Sequence, residues 1–215
     1  MFDLALKAGQ KGEHWPIWGT CIGFEFLVFL TINDTYSLET CSSEEQAVPL
    51  EVTSNFMTSR IGHAIPKDVF RTLTTTKSTV NFHQKCLSPT NFTLFEMDKF
   101  WNVLSTNFDW DGLEFISFLE AKDYPIWGST FHPEKIVFEW TSQYPNVPHD
   151  SSSIHAAAFF AQFFVEEARK NSHKFITREA EEKHLIYRHT PYFTGEYAPF
   201  DSIQKTIQFE QTYFF

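Results

Sequence analysis

The pattern of apolar and polar positions at the start of the chain predicts a strand followed closely by a helix. Residues 15–20 form an apolar, strand-like run, and residues 22–32 are apolar nearly all round, which predicts a buried helix. A short helix before this strand is predicted to stop at Gly9. Residues 33–45 are polar without a clear period, so we interpret them as a loop.

The middle of the chain predicts a strand hairpin. Residues 100–108 and 113–119 are strand-like runs, and the Asp111-Gly112 pair between them is typical of a tight turn. The other predicted elements are strands at residues 47–52, 78–83 and 124–131 and helices at residues 66–73 and 151–170. This mixture predicts an α/β fold with an antiparallel part.

Composition and charge then restrict the class of protein. The chain has 215 residues, which predicts one domain over residues 1–215 with a substantial core. Hydrophobic residues make up 42% and charged residues 20%, as in globular proteins. No apolar run has membrane-spanning length, and the first residues lack the features of a signal peptide. Since the net charge is −10, nucleic acid is not an expected partner, and a membrane is not expected either.

Cys21, which lies between Gly19 and Gly23, is the first candidate for chemistry. The Gly-x-Cys-x-Gly pattern follows a predicted strand and opens a predicted helix, which is the layout of a nucleophile elbow. A glycine beside such a turn removes a side-chain clash, and the helix N-terminus stabilises a thiolate. The backbone N–H of Ile22 would then face a forming oxyanion. Taken alone, the pattern also fits a buried cysteine in a strand–helix turn.

A second predicted strand supplies a base and a group that orients it. His132 follows the strand of residues 124–131, and Glu134 lies two positions further on. Cys21 and His132 are 132 − 21 = 111 positions apart, so only the fold can bring them together. Residues 125–128 repeat the Pro-Ile-Trp-Gly tetrad of residues 16–19, which we interpret as two strand entries that match by chance.

These two motifs together resemble a known family. Cys-x-Gly-Phe-Glu at residues 21–25, followed by His-Pro-Glu-Lys at residues 132–135, is similar to the gamma-glutamyl hydrolases, a branch of the class I glutamine amidotransferase-like group. The resemblance extends over nearly the whole chain, through residues 81–83, 91–93, 114–117 and 163–171. It implies a three-layer αβα sandwich with the site at the carboxyl ends of the strands.

The resemblance also implies an activity and a setting. The substrate would be folyl poly-gamma-glutamate, cleaved without a cofactor by Cys21, His132 and Glu134. The family is typically lysosomal or secreted. Apart from the resemblance, a homodimer is one oligomeric state open to this chain. Family chains begin well before this one, so their opening strands are missing here, together with a Gly-rich loop that supplies half of the oxyanion hole. We therefore expect weak turnover from this chain as given.

Three further residues are candidates for substrate binding by resemblance. His83 ends a predicted strand in the family's Asn-Phe-His context, and a structural role competes with a place in the site. Glu25 either orients the site or is an acid favoured by the start of its helix. Arg60 belongs to residues 58–87, which contain five basic residues and one acidic residue, a net charge of 5 − 1 = +4. A local positive charge of this kind suits a polyanionic substrate. Solvated surface charge is the favoured explanation of the same segment, ahead of a binding role for any single residue.

The remaining cysteines, histidines and asparagines leave alternatives open. Cys41 and Cys86 either pair in an oxidising compartment or remain small buried thiols, and we favour thiols. The nine histidines fall into no zinc-binding motif, so no metal is expected. Asn33 and Asn91 each start a triplet that fits the N-glycosylation pattern.

Three functions are therefore compared. The first is a cysteine hydrolase of gamma-glutamyl bonds that works through a thioester. The second is a glutaminase subunit of an amidotransferase, which is disfavoured because such subunits commonly carry Gln where this chain has Glu25. The third is an inactive fragment or paralogue with at most a binding role.

Overall fold

The computed structural model describes residues 1–32, 37–193 and 211–214. Contacts divide the chain into two compact units, Met1–Asn171 and Ser172–Phe215. The single domain predicted over residues 1–215 stays a prediction. Asn33 lies outside the described residues, whereas Nδ2 of Asn91 donates a hydrogen bond to the carbonyl oxygen of Ser37 at 2.8 Å.

The larger unit is built around a central β-sheet. The described part of this unit contains seven strands: β1 (Ile17–Thr20), β2 (Glu39–Val48), β3 (Glu51–Val52), β4 (Thr79–Cys86), β5 (Trp101–Phe108), β6 (Glu114–Ala121) and β7 (Ile126–Ser129). Five of them form a sheet in the order β1-β7-β6-β5-β3, while β2 and β4 pair separately as an antiparallel ribbon. Only β1 and β7 are parallel neighbours within the five-stranded sheet.

Seven α-helices belong to the described part of the larger unit. They are α1 (Phe2–Gln10), α2 (Ile22–Thr31), α3 (Arg60–Ala64), α4 (Lys67–Thr75), α5 (Pro89–Leu94), α6 (Pro133–Phe138) and α7 (Ser151–Arg169). In the smaller unit, the described residues form α8 (Arg178–Lys183) and a 3-10 turn at Ile186–Arg188. None of the described helices is long and apolar enough to cross a membrane.

Helices cover both faces of the five-stranded sheet. Neighbouring residues of β7, Ile126 and Trp127, point to opposite faces and belong to different apolar clusters. The cluster around Trp127 includes residues of α3, α4 and α7, and the cluster around Ile126 includes residues of α1, α2 and α5. The predicted α/β class is confirmed at this level, as a central sheet with helices packed on it.

The two Pro-Ile-Trp-Gly tetrads lie side by side in the sheet. β1 and β7 pair in register, Ile17 with Ile126, Trp18 with Trp127 and Gly19 with Gly128. The rings of Trp18 and Trp127 stack with centroids 6.3 Å apart. Both tetrads are therefore strand entries, as interpreted, and their residues occupy equivalent places in adjacent parallel strands.

Two other sequence predictions need correction. Residues 39–45, predicted as a loop, belong to β2, because pairing with β4 forms a strand that its own polar sequence does not indicate. The helix predicted to be buried all round, α2, buries one face and exposes Ile22, Phe26 and Leu30. The hairpin of β5 and β6 is confirmed, and Gly112 in its turn has a φ of +85°.

Candidate functional site

Cys21 occupies the sharp turn between β1 and α2. Its backbone has φ 52° and ψ −108°, and a positive φ is unfavourable for a residue with a side chain. The N–H of Cys21 donates to the carbonyl oxygen of Ser129 at 2.7 Å, and its own carbonyl accepts from the N–H of Glu25 at 3.1 Å. The strained backbone is thus held by hydrogen bonds on both sides, as a nucleophile elbow requires.

Gly19 lets α2 pack closely against β1. A Cβ atom on Gly19 would lie 2.5 Å from the carbonyl oxygen of Gly23 and 2.7 Å from Cδ1 of Leu27. A Cβ atom on Gly23 would meet nothing within 4 Å. The clash-relieving role predicted for the glycines beside Cys21 therefore belongs to Gly19, and the structure gives Gly23 no such role.

The parallel pairing of β7 with β1 brings His132 to Cys21. β7 ends level with β1, and three residues later His132 caps the start of α6, directly before Pro133. The backbone N–H of His132 donates to the carbonyl oxygen of Val80 at 2.8 Å, which ties this turn to β4. Both candidate residues therefore follow the carboxyl ends of neighbouring parallel strands, as predicted for ligand sites in α/β sheets.

His132 is held between a thiol and a carboxylate. Its Nδ1 lies 2.5 Å from Oε1 of Glu134. Burial alone would lower the pKa of His132, but interactions with the Cys21 and Glu134 side chains outweigh burial and raise the pKa from 6.5 to about 9. Burial would likewise raise the pKa of Glu134, but the bond to His132 holds that pKa below its usual range.

The other ring nitrogen of His132 is free to act on Cys21. Nε2 is buried and makes no well-aligned hydrogen bond with any described residue. The Cys21 side chain is nevertheless close enough to help raise the pKa of the imidazole. Such loose alignment is common in sites without a bound substrate. The arrangement can hold a thiolate beside an imidazolium that a carboxylate orients.

His83 lies beneath the site, on β4, and is 4% exposed. Its Nε2 lies 3.2 Å from Oδ1 of Asn81, which also accepts from the hydroxyl of Thr130 at 3.2 Å. Burial chiefly, and then the charge of His132, lower the pKa of His83 from 6.5 to about 4. His83 is therefore neutral at neutral pH and influences the site from a buried position.

Cys41 and Cys86 form a disulfide, with Cα atoms 5.8 Å apart. We favoured buried thiols for these residues, and that interpretation is wrong in this structure. The pairing follows from the β2–β4 ribbon, in which Glu39 and Thr40 lie opposite Cys86 and Lys85 before the register shifts. Cysteine counts alone could not reveal this, since β2 itself was not predicted from its sequence.

Ile22 and Glu25 lie on the first turn of α2, beside Cys21. Ile22 is the first helical residue, and the first amides of a helix have no carbonyl partner within it, so this N–H is available to an oxyanion. Burial raises the pKa of Glu25, and the charge of Lys85 opposes the increase. Lys85 is thus the cation of residues 58–87 that the structure places near the site.

Two cavities flank these residues. One, of about 250 Å³, is mainly apolar and is lined by Ile22, Glu25, Phe26 and Leu38 among others. The second, of about 400 Å³, is lined by Thr20 and Glu134 together with residues of α6 and α7. The residues on either side of Cys21 in the chain, together with Glu134, therefore border cavities with room for parts of a ligand.

Arg60 is not brought to this site. Its Nη1 donates to Oε1 of Glu120 at 3.2 Å and to the carbonyl oxygen of Ala121 at 2.8 Å, and its Nη2 donates to the carbonyl oxygen of Lys122. These acceptors lie at the end of β6 that is distant from His132, because β6 runs antiparallel to β7. The structure gives Arg60 a role in fixing α3 to the sheet, in contrast to our prediction of substrate binding.

Sequence reasoning missed the polar network of Asn81 and Thr130 beneath the site. Both side chains are buried, and both contact His83 or its hydrogen-bond partner. Asn81 and His83 are two positions apart on β4, so they share one face of that strand. The two-residue spacing of Asn81 and His83 in a predicted strand was the sequence signal that could have revealed this network.

Comparison with known proteins supports the resemblance. No protein-family model matches the chain. Curated gamma-glutamyl hydrolases do match: that of Homo sapiens is 38% identical over 93% of this chain and 62% of its own length. Gamma-glutamyl hydrolase B of Dictyostelium discoideum is 35% identical over 90% of this chain and 56% of its own length. Gamma-glutamyl hydrolase 1 of Arabidopsis thaliana is 30% identical over 91% of this chain and 56% of its own length. The chain therefore spans less than two thirds of these relatives.

Proposed function

We propose that this chain, a homologue of the gamma-glutamyl hydrolases over most of its length, is a cysteine-dependent hydrolase of gamma-glutamyl bonds in folyl poly-gamma-glutamates. The observation that carries the proposal is a strained Cys21 close enough to raise the pKa of a His132 whose Nδ1 is bound by Glu134. A nucleophile, a base and an orienting carboxylate in this order are the parts of a catalytic triad.

The raised pKa of His132 supports a stepwise mechanism. At neutral pH the imidazole of His132 is protonated, and its positive charge stabilises the thiolate form of Cys21 in which the sulfur attacks. The thiolate attacks the gamma-amide carbonyl carbon, and His132 gives its proton to the leaving amine as the C–N bond breaks. The product is a thioester on Cys21 with a neutral imidazole beside it.

The same residue then assists hydrolysis of the thioester. Acylation of Cys21 removes its part in raising the pKa of His132, and the imidazole, which has given up its proton, acts as a base for an attacking water. Glu134 keeps Nδ1 protonated and directs Nε2 to the reaction. We assign the N–H of Ile22 as one donor to the oxyanion in both steps.

Several broader expectations accompany this proposal. We propose the class I glutamine amidotransferase type of αβα sandwich, because the elbow and His132 follow adjacent parallel strands beneath helices. We propose a lysosomal or secreted location, which the Cys41–Cys86 disulfide supports because such bonds persist in oxidising compartments. A homodimer remains open as an oligomeric state.

The test uses purified chain 1–215 and its Cys21→Ser variant with three substrates. These are pteroyl oligoglutamate with gamma linkages, the same compound with alpha linkages, and free glutamine. We expect cleavage of the gamma-linked compound alone, and a loss of at least about 10³-fold in the variant. Mass spectrometry of acid-quenched protein should detect the acyl group on Cys21.

Three results would overturn the proposal. Equal turnover of glutamine would favour the amidotransferase alternative. Unchanged activity of Cys21→Ser would remove the cysteine mechanism. Absence of both turnover and an acyl adduct in the intact chain would favour the inactive homologue. His132→Ala should abolish turnover, whereas Glu134→Gln should leave part of it, since the carboxylate only orients the base.

A further inference from the structure

Cys41, His83 and Cys86 bring three metal-binding atoms together inside the β2–β4 ribbon. Nδ1 of His83 lies 3.6 Å from Sγ of Cys41 and 3.5 Å from Sγ of Cys86. All three ligand atoms are within 4.8 Å of one another, and all three residues are buried. The proposed hydrolysis assigns no step to the two sulfur atoms.

These distances match the spacing of ligands around zinc. Zn–S bonds of about 2.3 Å and Zn–N bonds of about 2.0–2.1 Å at tetrahedral angles place N and S ligands about 3.5–3.6 Å apart. Nδ1 of His83 already stands at this distance from both sulfur atoms. Once the disulfide is broken, the two sulfur atoms must separate to admit the ion.

The surroundings of His83 also fit a metal ligand. A ligating histidine usually donates its second ring N–H to a fixed acceptor, which directs the other nitrogen to the metal. Nε2 of His83 donates to Oδ1 of Asn81 at 3.2 Å. Asn81 is itself held, because its Nδ2 donates to the carbonyl oxygen of Gln46 at 3.3 Å and the hydroxyl of Thr130 donates to its Oδ1. Nδ1, which then carries the lone pair, lies within 3.6 Å of both sulfur atoms.

We propose that reduction of the Cys41–Cys86 disulfide converts Cys41, Cys86 and His83 into a buried three-ligand site for zinc. A thiol or phosphine reductant supplies two electrons and is itself oxidised, while the disulfide takes up two protons to become two thiols. Binding of Zn²⁺ then releases these two protons to solvent and leaves two thiolates and one neutral imidazole on the ion. Two sulfur ligands and one nitrogen favour zinc over magnesium or calcium, and water completes the tetrahedron.

The experiment compares oxidised and reduced chain 1–215 directly. The protein is reduced with a phosphine without oxygen, freed of reductant and dialysed against Zn²⁺; Co²⁺ serves as a coloured probe of thiolate ligation. We expect about one Zn²⁺ per reduced chain, together with thiolate charge-transfer bands for Co²⁺. The oxidised chain should bind at least about 100-fold more weakly, because a disulfide offers no thiolate.

Variants separate this site from adventitious binding. Cys21→Ser, which removes the remaining thiol, should leave zinc affinity unchanged, whereas Cys41→Ser and Cys86→Ser should abolish the Co²⁺ charge-transfer bands. Asn81→Ala should weaken zinc binding about 10–100-fold, since it removes the partner that orients His83. This last variant retains the disulfide, so its fold can be checked by circular dichroism in the oxidised state.

The inference is overturned if reduced and oxidised chains bind zinc equally, or if Cys21→Ser removes the binding. If Cys41→Ser or Cys86→Ser does not fold, the inference is still tested. The zinc affinities of the reduced and oxidised wild-type chains and of Asn81→Ala then decide it. All of these readouts measure metal binding and none depends on hydrolytic activity.

Discussion

At the scale of single residues, the pKa values of His132 and His83 are shifted in opposite directions, and the causes differ. Burial disfavours the charged form of His132, but Cys21 and Glu134 favour that form and raise the pKa to about 9. For His83, burial and the charge of His132 act together and lower the pKa to about 4. The neutral His83 thus leaves His132 as the positively charged histidine of this pair at neutral pH.

This difference predicts two separate pH dependences of stability. Because the folded pKa of His132 is above 6.5, its contribution to stability is fully present below pH 6.5 and is lost as pH rises to about 9. The free energy of unfolding in urea should therefore fall less steeply over this range in His132→Gln than in the wild type.

His83→Gln provides the matched control. The folded pKa of His83 is below 6.5, so its contribution is present above pH 6.5 and is lost as pH falls to about 4. This variant should flatten the acid side of the stability curve and keep the alkaline decline. Identical alkaline declines in wild type and His132→Gln would contradict the assigned ion pair.

Lys85 is predicted to contribute to the affinity for a polyanionic substrate. It is exposed, acts on the pKa of Glu25, and its Nζ donates to the hydroxyl of Thr40 at 3.1 Å. Lys85→Gln should raise KM for gamma-linked polyglutamate about 1.5- to 5-fold at low salt, with kcat little changed. Salt should reduce the difference, because charges more than about 10 Å apart are screened at 0.1 M.

Lys77→Gln is the control for Lys85, since Lys77 is an exposed cation of the same segment at the opposite end of β4. We expect this control to leave KM unchanged. An equal rise in KM for both variants would mean that net charge, and not the position of Lys85, governs affinity.

At the scale of elements, the contact between β1 and α2 predicts opposite effects of one substitution at two glycines. Gly19→Ala places a Cβ 2.5 Å from the carbonyl oxygen of Gly23, so it should destabilise the protein by about 1–3 kcal/mol. Gly23→Ala meets nothing within 4 Å and lies within a helix, so it should be neutral or stabilising by up to about 1 kcal/mol. Urea unfolding of both variants measures this; equal destabilisation would contradict the close packing.

The junction of α3 with β6 predicts a stability effect for Arg60 and no effect on substrate. Glu120 is buried and accepts from the N–H and Nη1 of Arg60 at 3.0 and 3.2 Å, and from Nε1 of Trp127 at 2.7 Å. Arg60→Met removes the charge that pairs with Glu120, so the free energy of unfolding should fall by about 1–3 kcal/mol. KM should not change. A raised KM with unchanged stability would indicate that Arg60 binds substrate.

Sequence patterns predicted those parts of the fold and site that have a local signal in the sequence. Cys21, His132 and Glu134 lie in short motifs at strand ends, and the Asp111-Gly112 turn has a strong local signal. β2 could not be predicted in the same way, because its residues 39–45 are polar and become a strand only by pairing with β4. The disulfide and the buried environment of His83 depend on that ribbon and were missed with it.

At the scale of the whole molecule, the described apolar core belongs to the larger unit. Every described buried hydrophobic residue lies between Phe2 and Phe163, and both apolar faces of the sheet are covered by helices of this unit. In the described part of the smaller unit, α8 and the 3-10 turn contain no buried residue, and Ile176 is 99% exposed. Burial of apolar surface is the main source of stability, so folding should depend chiefly on residues 1–171.

We therefore predict that a chain ending at Asn171 folds by itself. Its last helix keeps the buried Glu167, which pairs with His14 at 2.9 Å, and its terminal Asn171 donates to the carbonyl oxygen of His14 at 2.7 Å. Near-ultraviolet circular dichroism should match that of chain 1–215, and the melting temperature should change by no more than about 4 °C, corresponding to about 1 kcal/mol for a domain of this size. The control is His14→Ala in the shortened chain, which leaves Glu167 without this partner and should lower the melting temperature further. A shortened chain without near-ultraviolet signal would mean that residues 172–215 are required for packing of the core.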